Sequence, residues 1–197
     1  MTIEQAFSNR RSIYALGTQK TLNNSEINDI VAHALKYAPS AFNSQSARLA
    51  VLYGKSYQKL WDITLRALSK VTPPEKFPQT VTKINAFKQG LGTILFFEDQ
   101  KVIEKLQKKY PLYAETFPKW AEQGNAMLQY MIWLALSEHK IGASLQHYNP
   151  LIDEDIHRIF KISKNWYLIA QMPFGAITEE PQPKNFASIE ERLKIFD

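Results

Sequence analysis

The sequence predicts an α+β fold in which helices surround a small sheet. Its hydrophobic periodicity indicates about seven helices and three or four strands. The predicted strands and helices do not alternate regularly, and no segment repeats. We therefore expect neither a parallel β-α-β sheet nor a repeat architecture.

The composition is typical of one globular domain, which we expect to span residues 1–197. A chain of this length buries roughly 70% of the surface that its unfolded form exposes, which is enough for a core that needs no disulfide or metal cross-links. Because the chain contains no cysteine, disulfides and zinc–thiolate sites are excluded. The 24 basic and 19 acidic residues leave a net charge of +5.

The first two helices are predicted from capping signals and apolar stripes. Thr2 and Gln5 form a capping-box pattern, so a short helix should present residues 10–12 at its C-terminal end. Ser25 is predicted to cap the second helix, because apolar residues recur behind it at three- and four-residue spacing. Pro39 should end that helix.

The middle of the chain is predicted to contain two strands, each followed by a helix. Ala47–Tyr53 has the composition of a strand, and Ser56 is the predicted N-cap of the helix after it. Residues 71–79 hold three prolines and are predicted to form a surface excursion. Residues 93–97 are continuously apolar, which is typical of a buried strand, and Asp99 should cap the next helix.

The C-terminal part is predicted to contain a long helix, a short helix, a strand and a tail. Residues 120–139 are apolar on nearly every face of their second half, which predicts burial in a core or against a second subunit. Residues 150–160 should form a short helix, and residues 165–174 a central strand that ends at Gly175. The charged tail, residues 178–197, carries five large apolar residues and should pack against something.

Several functional classes are disfavoured. Residues 90–92 begin like a dinucleotide-binding fingerprint, but they lack the third glycine and precede a predicted strand. No metal is expected, because the four histidines lack metal-site spacing, although His147 and His157 with Asp153 could be imagined as ligands. No nucleic-acid partner is expected, because the basic residues form no stripe interleaved with aromatic residues.

No membrane partner is expected either. The longest apolar stretch, residues 126–136, is shorter than the about 20 residues that a membrane span requires. The first residues lack the apolar core of a secretory signal. We therefore expect a cytoplasmic protein.

Two polar segments are candidates for a binding site. Arg10, Arg11 and Ser12 combine two guanidinium groups with a hydroxyl, a set that suits a phosphate but also occurs as ordinary surface charge. Residues 39–46 place hydroxyl and amide groups between a predicted helix and a predicted strand. They could hydrogen-bond a planar heterocycle, or form an ordinary loop with an Asx-turn at Asn43.

Taken in order, these segments resemble the nitroreductase family of flavoproteins. RRSIYAL is similar to the family's Arg-x-Ser element, and APSAFNSQSAR to its Pro-Ser-x-x-Asn-x-Gln element. The resemblance covers almost the whole chain, through KLWDIT, FKQGLGTILFFED, WAEQGNAMLQYMIWLAL, ASLQHYNPLID, WYLIAQMPFG and PKNF. It is nearest to a short bacterial and fungal branch that includes fungal proteins linked to fatty-acid regulation. It implies a nitroreductase-like fold with a small, mostly antiparallel sheet, in a homodimer with a domain-swapped C-terminal tail.

The resemblance also implies two FMN sites at the subunit interface. Arg10 and Ser12 would hold the FMN phosphate and ribityl chain, with Arg11 beside them and Lys184 joining from the tail. Residues of the other subunit would line the flavin ring, and the backbone of a further segment would pass its N5 edge. These residues are Pro39, Ser40, Asn43 and Gln45 for the ring, and Gln146, Tyr148 and Asn149 for the N5 edge.

The implied activity is a ping-pong hydride transfer. NADH or NADPH would reduce FMN and leave the pocket to a small electron acceptor such as a nitroaromatic or a quinone. Because the flavin carries the chemistry, no side chain is needed as nucleophile or general base, and no catalytic residue is predicted.

Three positions depart from the family pattern. Tyr14 stands where many relatives carry a lysine or arginine. The cation at the flavin N1 edge is then either missing or supplied elsewhere, with Arg11 and Lys88 as candidates. Ser46 replaces the proline that commonly follows the family's glutamine. The arginine expected two residues after Lys184 is missing, and Arg192 is a candidate to replace it.

Two other functions are left open by the sequence. A flavin-binding regulatory or redox-sensing protein with little turnover would also bind FMN. A flavin-free helical interaction protein would instead be colourless and would bind acidic partners in a salt-sensitive way.

Overall fold

An antiparallel sheet of five strands forms the centre of the structure, a computed structural model that describes residues 2–196. The strand order is β1-β5-β3-β2, and β4 also pairs with β5. All four pairings are antiparallel, as the family resemblance implies. The strands are β1 (Leu16–Gly17), β2 (Ala47–Tyr53), β3 (Gly92–Asp99), β4 (Ile141–Ala143) and β5 (Trp166–Ile177).

Seven α-helices accompany the sheet within residues 2–196. They are α1 (Ile3–Asn9), α2 (Asn24–Tyr37), α3 (Gly54–Leu68), α4 (Phe77–Lys88), α5 (Gln100–Lys109), α6 (Phe117–Glu138) and α7 (Asp153–Phe160). Two short 3-10 turns, Ala41–Asn43 and Pro111–Tyr113, precede β2 and α6. None of the helices in this range combines the length and apolar character that crossing a membrane requires.

The sheet is buried on both faces. Ile94 and Phe96 of β3 point into a core formed with α2 and α6, whereas the alternate residues Leu95 and Phe97 point into a core formed with α3, α4 and α7. Alternating side chains of one strand therefore serve two cores. This confirms the prediction that the apolar run of residues 93–97 is a buried strand.

Two of the predicted caps are confirmed. The Thr2 hydroxyl accepts a hydrogen bond from the Gln5 amide, and the Gln5 side chain accepts one from the Thr2 amide at 2.9 Å. The Asp99 carboxylate accepts a hydrogen bond from the Lys101 amide at 3.1 Å.

The predicted caps at Ser25 and Ser56 are wrong. Asn23 caps α2 instead, because it forms a reciprocal capping box with Glu26. Helix α3 begins at Gly54, two residues before Ser56. Gly54 adopts a φ of 52°, a left-handed conformation that lets the chain turn directly from β2 into the helix.

Other element boundaries differ from the sequence prediction by a few residues. Helix α6 starts at Phe117, with Pro118 in its first turn, and ends at Glu138 instead of residue 139. Residues 150–152 form a turn before α7, so the short helix begins later than predicted. Strand β5 continues past Gly175 to Ile177, because Gly175 pairs with Gly142 of β4.

Three elements were not predicted individually. β1 and β4 contain only two and three residues and show no periodicity of their own. Helix α4 begins at Phe77, inside the segment 71–79 that was expected to be a surface excursion.

The tail after β5 contains neither helix nor strand over residues 178–196. It is tied to the start of the chain where the Thr178 amide donates to the Ala15 carbonyl at 3.2 Å, and where Arg11 donates to the Gln182 carbonyl. Its large apolar side chains are exposed, with Phe196 at 90%. Asp197, the last residue of the predicted tail, lies outside the described residues.

Candidate cofactor site

The sheet positions the N-terminal basic segment. Ser12 forms a parallel bridge with Ala143, and the Ile13 amide donates to the Ala143 carbonyl at 2.9 Å. Ile13 packs so closely on Gly142 that a Cβ there would lie 2.8 Å from its Cγ2 atom. The end of α1 and the end of β4 are therefore fixed side by side.

Both arginines of this segment carry a buried donor without a partner. The Arg10 guanidinium lies over the Trp133 ring, 4.3 Å from its centroid, which is cation–π distance. The Nε atoms of Arg10 and Arg11 are both buried and make no hydrogen bond. Because an unpaired buried donor is costly, these two groups favour an anionic acceptor.

Arg11, Ser12 and Lys184 line one cavity with a volume of about 430 Å³. Tyr14 is also part of its wall, as are the carboxylates of Glu179 and Glu180. Arg10 is not among the lining residues and lies against α6. The structure thus brings three of the four residues expected at the FMN phosphate around one cavity, with the fourth next to them in the chain.

The segment after β4 is held by a buried glutamine that the sequence analysis missed. Gln146 and Gln171 exchange two backbone hydrogen bonds, each of 2.8 Å. The Gln171 side chain accepts from the Tyr148 amide at 2.8 Å and donates to the Asn149 side chain at 3.3 Å. Gln171 is the one polar side chain in the buried part of β5, which was the available signal for its role.

A second buried contact fixes Gln146 itself. Its side-chain amide donates to the hydroxyl of Ser144 at 3.1 Å, and both residues are buried. The three residues expected at the flavin N5 edge, Gln146, Tyr148 and Asn149, therefore belong to one constrained segment.

The loop of residues 39–46 has unusual backbone geometry. Phe42, Asn43 and Gln45 have φ values of 55°, 50° and 49°. Left-handed conformations at residues other than glycine cost about 1–3 kcal/mol each and cluster at functional sites. The Ser40 hydroxyl accepts a hydrogen bond from the Gln45 amide at 3.0 Å, and the Asn43 amide donates to the Ser40 carbonyl at the same distance.

The loop is anchored at its end to β2 and β3. Arg48 donates to the Gln45 carbonyl at 2.7 Å and forms a salt bridge with Asp99 at 3.0 Å. The Asp99 amide donates to the Ser46 carbonyl at 2.9 Å. Pro39, Ser40 and Gln45 line a cavity of about 480 Å³, whereas Asn43 does not.

A buried carboxyl lies in the wall of that cavity. Glu98 is 2% exposed; its Oε1 atom accepts from the Asn125 side chain at 2.8 Å, and its Oε2 atom is buried without a partner. Burial raises the pKa of Glu98, an effect opposed by hydrogen bonds from Ser46 and Asn125 and by the charge of Arg48.

The two polar segments lie at opposite ends of the sheet in one chain. The loop enters β2 at Ala47, which pairs with Glu98 of β3, and Glu98 in turn pairs with Tyr167 of β5. Ser12 instead pairs with Ala143 of β4, whose partner in β5 is Phe174. Tyr167 and Phe174 are seven positions apart in β5, a distance of roughly 24 Å along a strand. Each segment lines its own cavity, and the two cavities share no residue.

Lys88, expected as a cation at the flavin N1 edge, lines neither cavity. Its ammonium group forms a salt bridge with Asp62 at 2.6 Å. Within residues 2–196, no three His, Asp or Glu side chains are grouped closely enough to hold a metal ion.

The fold and the two polar segments define a class of protein: an α+β protein of the nitroreductase fold. The chain belongs to the nitroreductase family, which it matches over residues 7–176.

The relatives include proteins that match over nearly the full length. The chain is 33% identical to HBN1 of Saccharomyces cerevisiae over 192 residues, which covers 95% of this chain and 93% of HBN1. It superposes on the nitroreductase CinD from Lactococcus lactis, solved with 4-nitrophenol, with a TM-score of 0.91, 37% identity and full coverage of both chains. An FMN complex from Exiguobacterium sibiricum shares the fold, with a TM-score of 0.74 at 16% identity over 100% of this chain and 98% of the other.

Proposed function

We propose that the protein is an FMN-dependent oxidoreductase that takes hydride from NADH or NADPH and reduces nitroaromatics, quinones or similar acceptors. The observation that carries the proposal is the pair of buried, unpartnered arginine donors beside the cavity at Ser12. The family membership supports the same activity. CinD, solved with 4-nitrophenol, supports a nitroaromatic acceptor.

The residues at the cavity fit the phosphate of FMN. A phosphate carries up to two negative charges and is best bound by charge-assisted hydrogen bonds, which Arg10, Arg11 and Lys184 can donate. Ser12 adds a hydroxyl donor. Glu179 and Glu180 in the same wall offset part of the positive charge, so both arginines are needed to make the site attractive to an anion.

The second half of the site would come from another copy of the chain. The loop that would contact the flavin ring lies roughly 24 Å along the sheet from the level of Ser12. That separation is too long for one cofactor to contact both segments of the same chain. The loop at each site would therefore come from a second subunit. We therefore propose a homodimer in which Pro39, Ser40, Asn43 and Gln45 of one subunit complete the site of the other.

The exposed tail is consistent with such a dimer. Phe186, Ile195 and Phe196 are each more than three-quarters exposed in the single chain. A partner surface that covers these side chains would remove their apolar area from water. We propose that the tail packs on the second subunit and that residues 1–197 act as one domain.

When bound, FMN supplies the hydride chemistry of the reaction. The chain supplies position and charge. Arg10, Arg11 and Lys184 would neutralise the phosphate, and the buried Gln171 keeps the backbone of Tyr148 and Asn149 in a fixed path. The side-chain amides of Asn43 and Gln45 can donate to and accept from the polar edge of a flavin ring.

The proposal is tested by the visible absorption spectrum of the purified protein, recorded before and after NADH or NADPH is added anaerobically. We expect flavin bands that bleach on reduction, and fast oxidation of the nucleotide when a nitroaromatic is added. Bound FMN with negligible turnover would instead favour a regulatory or redox-sensing role. A colourless protein that cannot be reconstituted with FMN would contradict both.

A further inference from the structure

Four aromatic rings surround that of Phe42, and the proposed function uses none of the five. The Phe42 ring centroid lies 4.9 Å from that of Tyr110, 5.3 Å from Phe117, 5.9 Å from Tyr113 and 6.1 Å from Trp120. The Trp120 ring is nearly parallel to it, at 24°. These distances fall in the range of favourable aromatic pairs.

Phe42 is exposed in spite of these neighbours. Its exposure is 51%, and its backbone has a φ of 55°, which is rare for a bulky residue. The strained backbone is therefore not compensated by burial of the side chain within its own chain. Strain of this kind is typical of residues that face a ligand.

A recess opens beside the exposed ring. It has a volume of about 350 Å³ and is lined by Ala41, Phe42, Trp120, Gln123 and Met127. Two of the five lining residues are aromatic and one is a methionine, whose thioether contacts aromatic rings favourably. Such a wall suits a flat, polarisable ring better than a charged or bulky aliphatic group.

The recess and the cavity at Ser40 are lined by neighbouring positions of α6. Trp120, Gln123 and Met127 line the recess, and the residue after each of them lines the cavity. Phe42 lies directly before Asn43 in the chain and two residues after Ser40, both of which are proposed to contact the flavin ring. Consecutive Cα atoms are 3.8 Å apart, so the Cα atom of Phe42 lies within about 8 Å of the Cα atoms of both residues.

We propose that Phe42, supported by Trp120, determines specificity for planar aromatic electron acceptors by stacking against their ring. This inference rests on the proposed function, because it assumes that FMN binds beside the loop of residues 39–46. A planar acceptor gains affinity because its flat face stacks on the Phe42 ring. An acceptor of the same size without a planar ring gains little from this contact.

The test compares nitrobenzene with nitrocyclohexane, which has a similar size but no planar ring. Their dissociation constants are measured on the FMN-loaded protein from the perturbation of the flavin absorption bands. We expect Phe42→Leu to weaken nitrobenzene binding about five- to tenfold, in line with the energy of one aromatic pair, and to leave nitrocyclohexane binding unchanged. Phe42→Tyr, which keeps the ring, should retain the wild-type preference.

Phe7→Leu is the matched control, because Phe7 has a similar exposure of 49% and lies on α1. It should leave both dissociation constants unchanged. Equal binding of nitrobenzene to wild type and Phe42→Leu would overturn the stacking role, as would equal weakening of both ligands or loss of FMN from Phe42→Leu. Wild-type protein that binds no FMN would instead show that the proposed function itself is wrong.

Discussion

The two polar segments of the candidate site are held in contrasting ways. Residues 10–12 lie beside β4, where Ser12 and Ile13 join the sheet through regular backbone pairing. The loop of residues 39–46 instead holds three residues in the left-handed region and relies on a hydroxyl, Ser40, to close its turn. The first segment is a rigid anchor suited to a charged group, whereas the second is a shaped wall that stores strain. Under the proposed function, charge recognition and ring recognition would be divided between the two ends of the sheet.

The largest effect is expected at the anchor. Arg10→Ala should weaken FMN binding by about 100-fold, because a charge-assisted hydrogen bond to the phosphate is lost. Riboflavin, which lacks the phosphate, should bind both proteins equally. Flavin fluorescence titrations measure both ligands, and Arg66→Ala on the exposed side of α3 is the control. Unchanged FMN affinity in Arg10→Ala would remove Arg10 from the phosphate site.

A smaller effect is expected where Gln171 holds the segment beside that anchor. Gln171→Leu leaves the Tyr148 amide without its acceptor and should lower the free energy of unfolding by about 2 kcal/mol. Hydrogen exchange at that amide should also become faster. Gln58→Leu, which removes one hydrogen bond to the Lys88 carbonyl, should cost about 1 kcal/mol. Equal losses in the two variants would mean that Gln171 has no special part in fixing the segment.

The smallest effect concerns Glu98, next to the strained loop. Because burial raises the pKa of Glu98 above its usual 4.5, the folded protein binds this proton more tightly than the unfolded chain. The stability gained from this tighter proton binding is fully present below pH 4.5. It is lost as the pH rises through the raised pKa of Glu98. Denaturant unfolding at several pH values should therefore show Glu98→Gln gaining stability relative to wild type as pH rises.

Glu122→Gln, which changes an exposed carboxylate on the neighbouring helix α6, is the control and should show no such trend. Arg48 and Asp99 are the charged groups that act on Glu98 in the folded protein. A constant difference between wild type and Glu98→Gln across the pH range would contradict a raised pKa at this position.

Local signals in the sequence predicted much of the fold. The capping box at Thr2 and the strand Ala47–Tyr53 depend on neighbouring residues alone, and both are confirmed. β1 and β4 could not be predicted, because two or three residues become a strand only through pairing with β5. The cap of α2 could not be placed from residue type alone, because serine and asparagine both cap helices and Asn23 stands two residues before Ser25.

The candidate site was predictable in residue type but not in arrangement. The motifs identified the arginines and the polar loop. Only the sheet register shows that, within one chain, the two segments lie at opposite ends of the sheet. The supporting residues Gln171 and Ser144 were missed, since their importance comes from burial among elements distant in sequence. Phe42 was also missed, because its left-handed backbone and its four aromatic neighbours are properties of the folded loop.

The central claim, that each flavin site uses opposite ends of the sheet from two chains, is tested most directly by counting FMN in mixed dimers. Arg10→Ala subunits paired with Asn43→Ala subunits should bind one FMN per dimer, because one site keeps both residues. Double-variant subunits paired with wild type should bind none, because each site then lacks one residue. The opposite pattern, none in the first dimer and one in the second, would show that each site is built within a single chain.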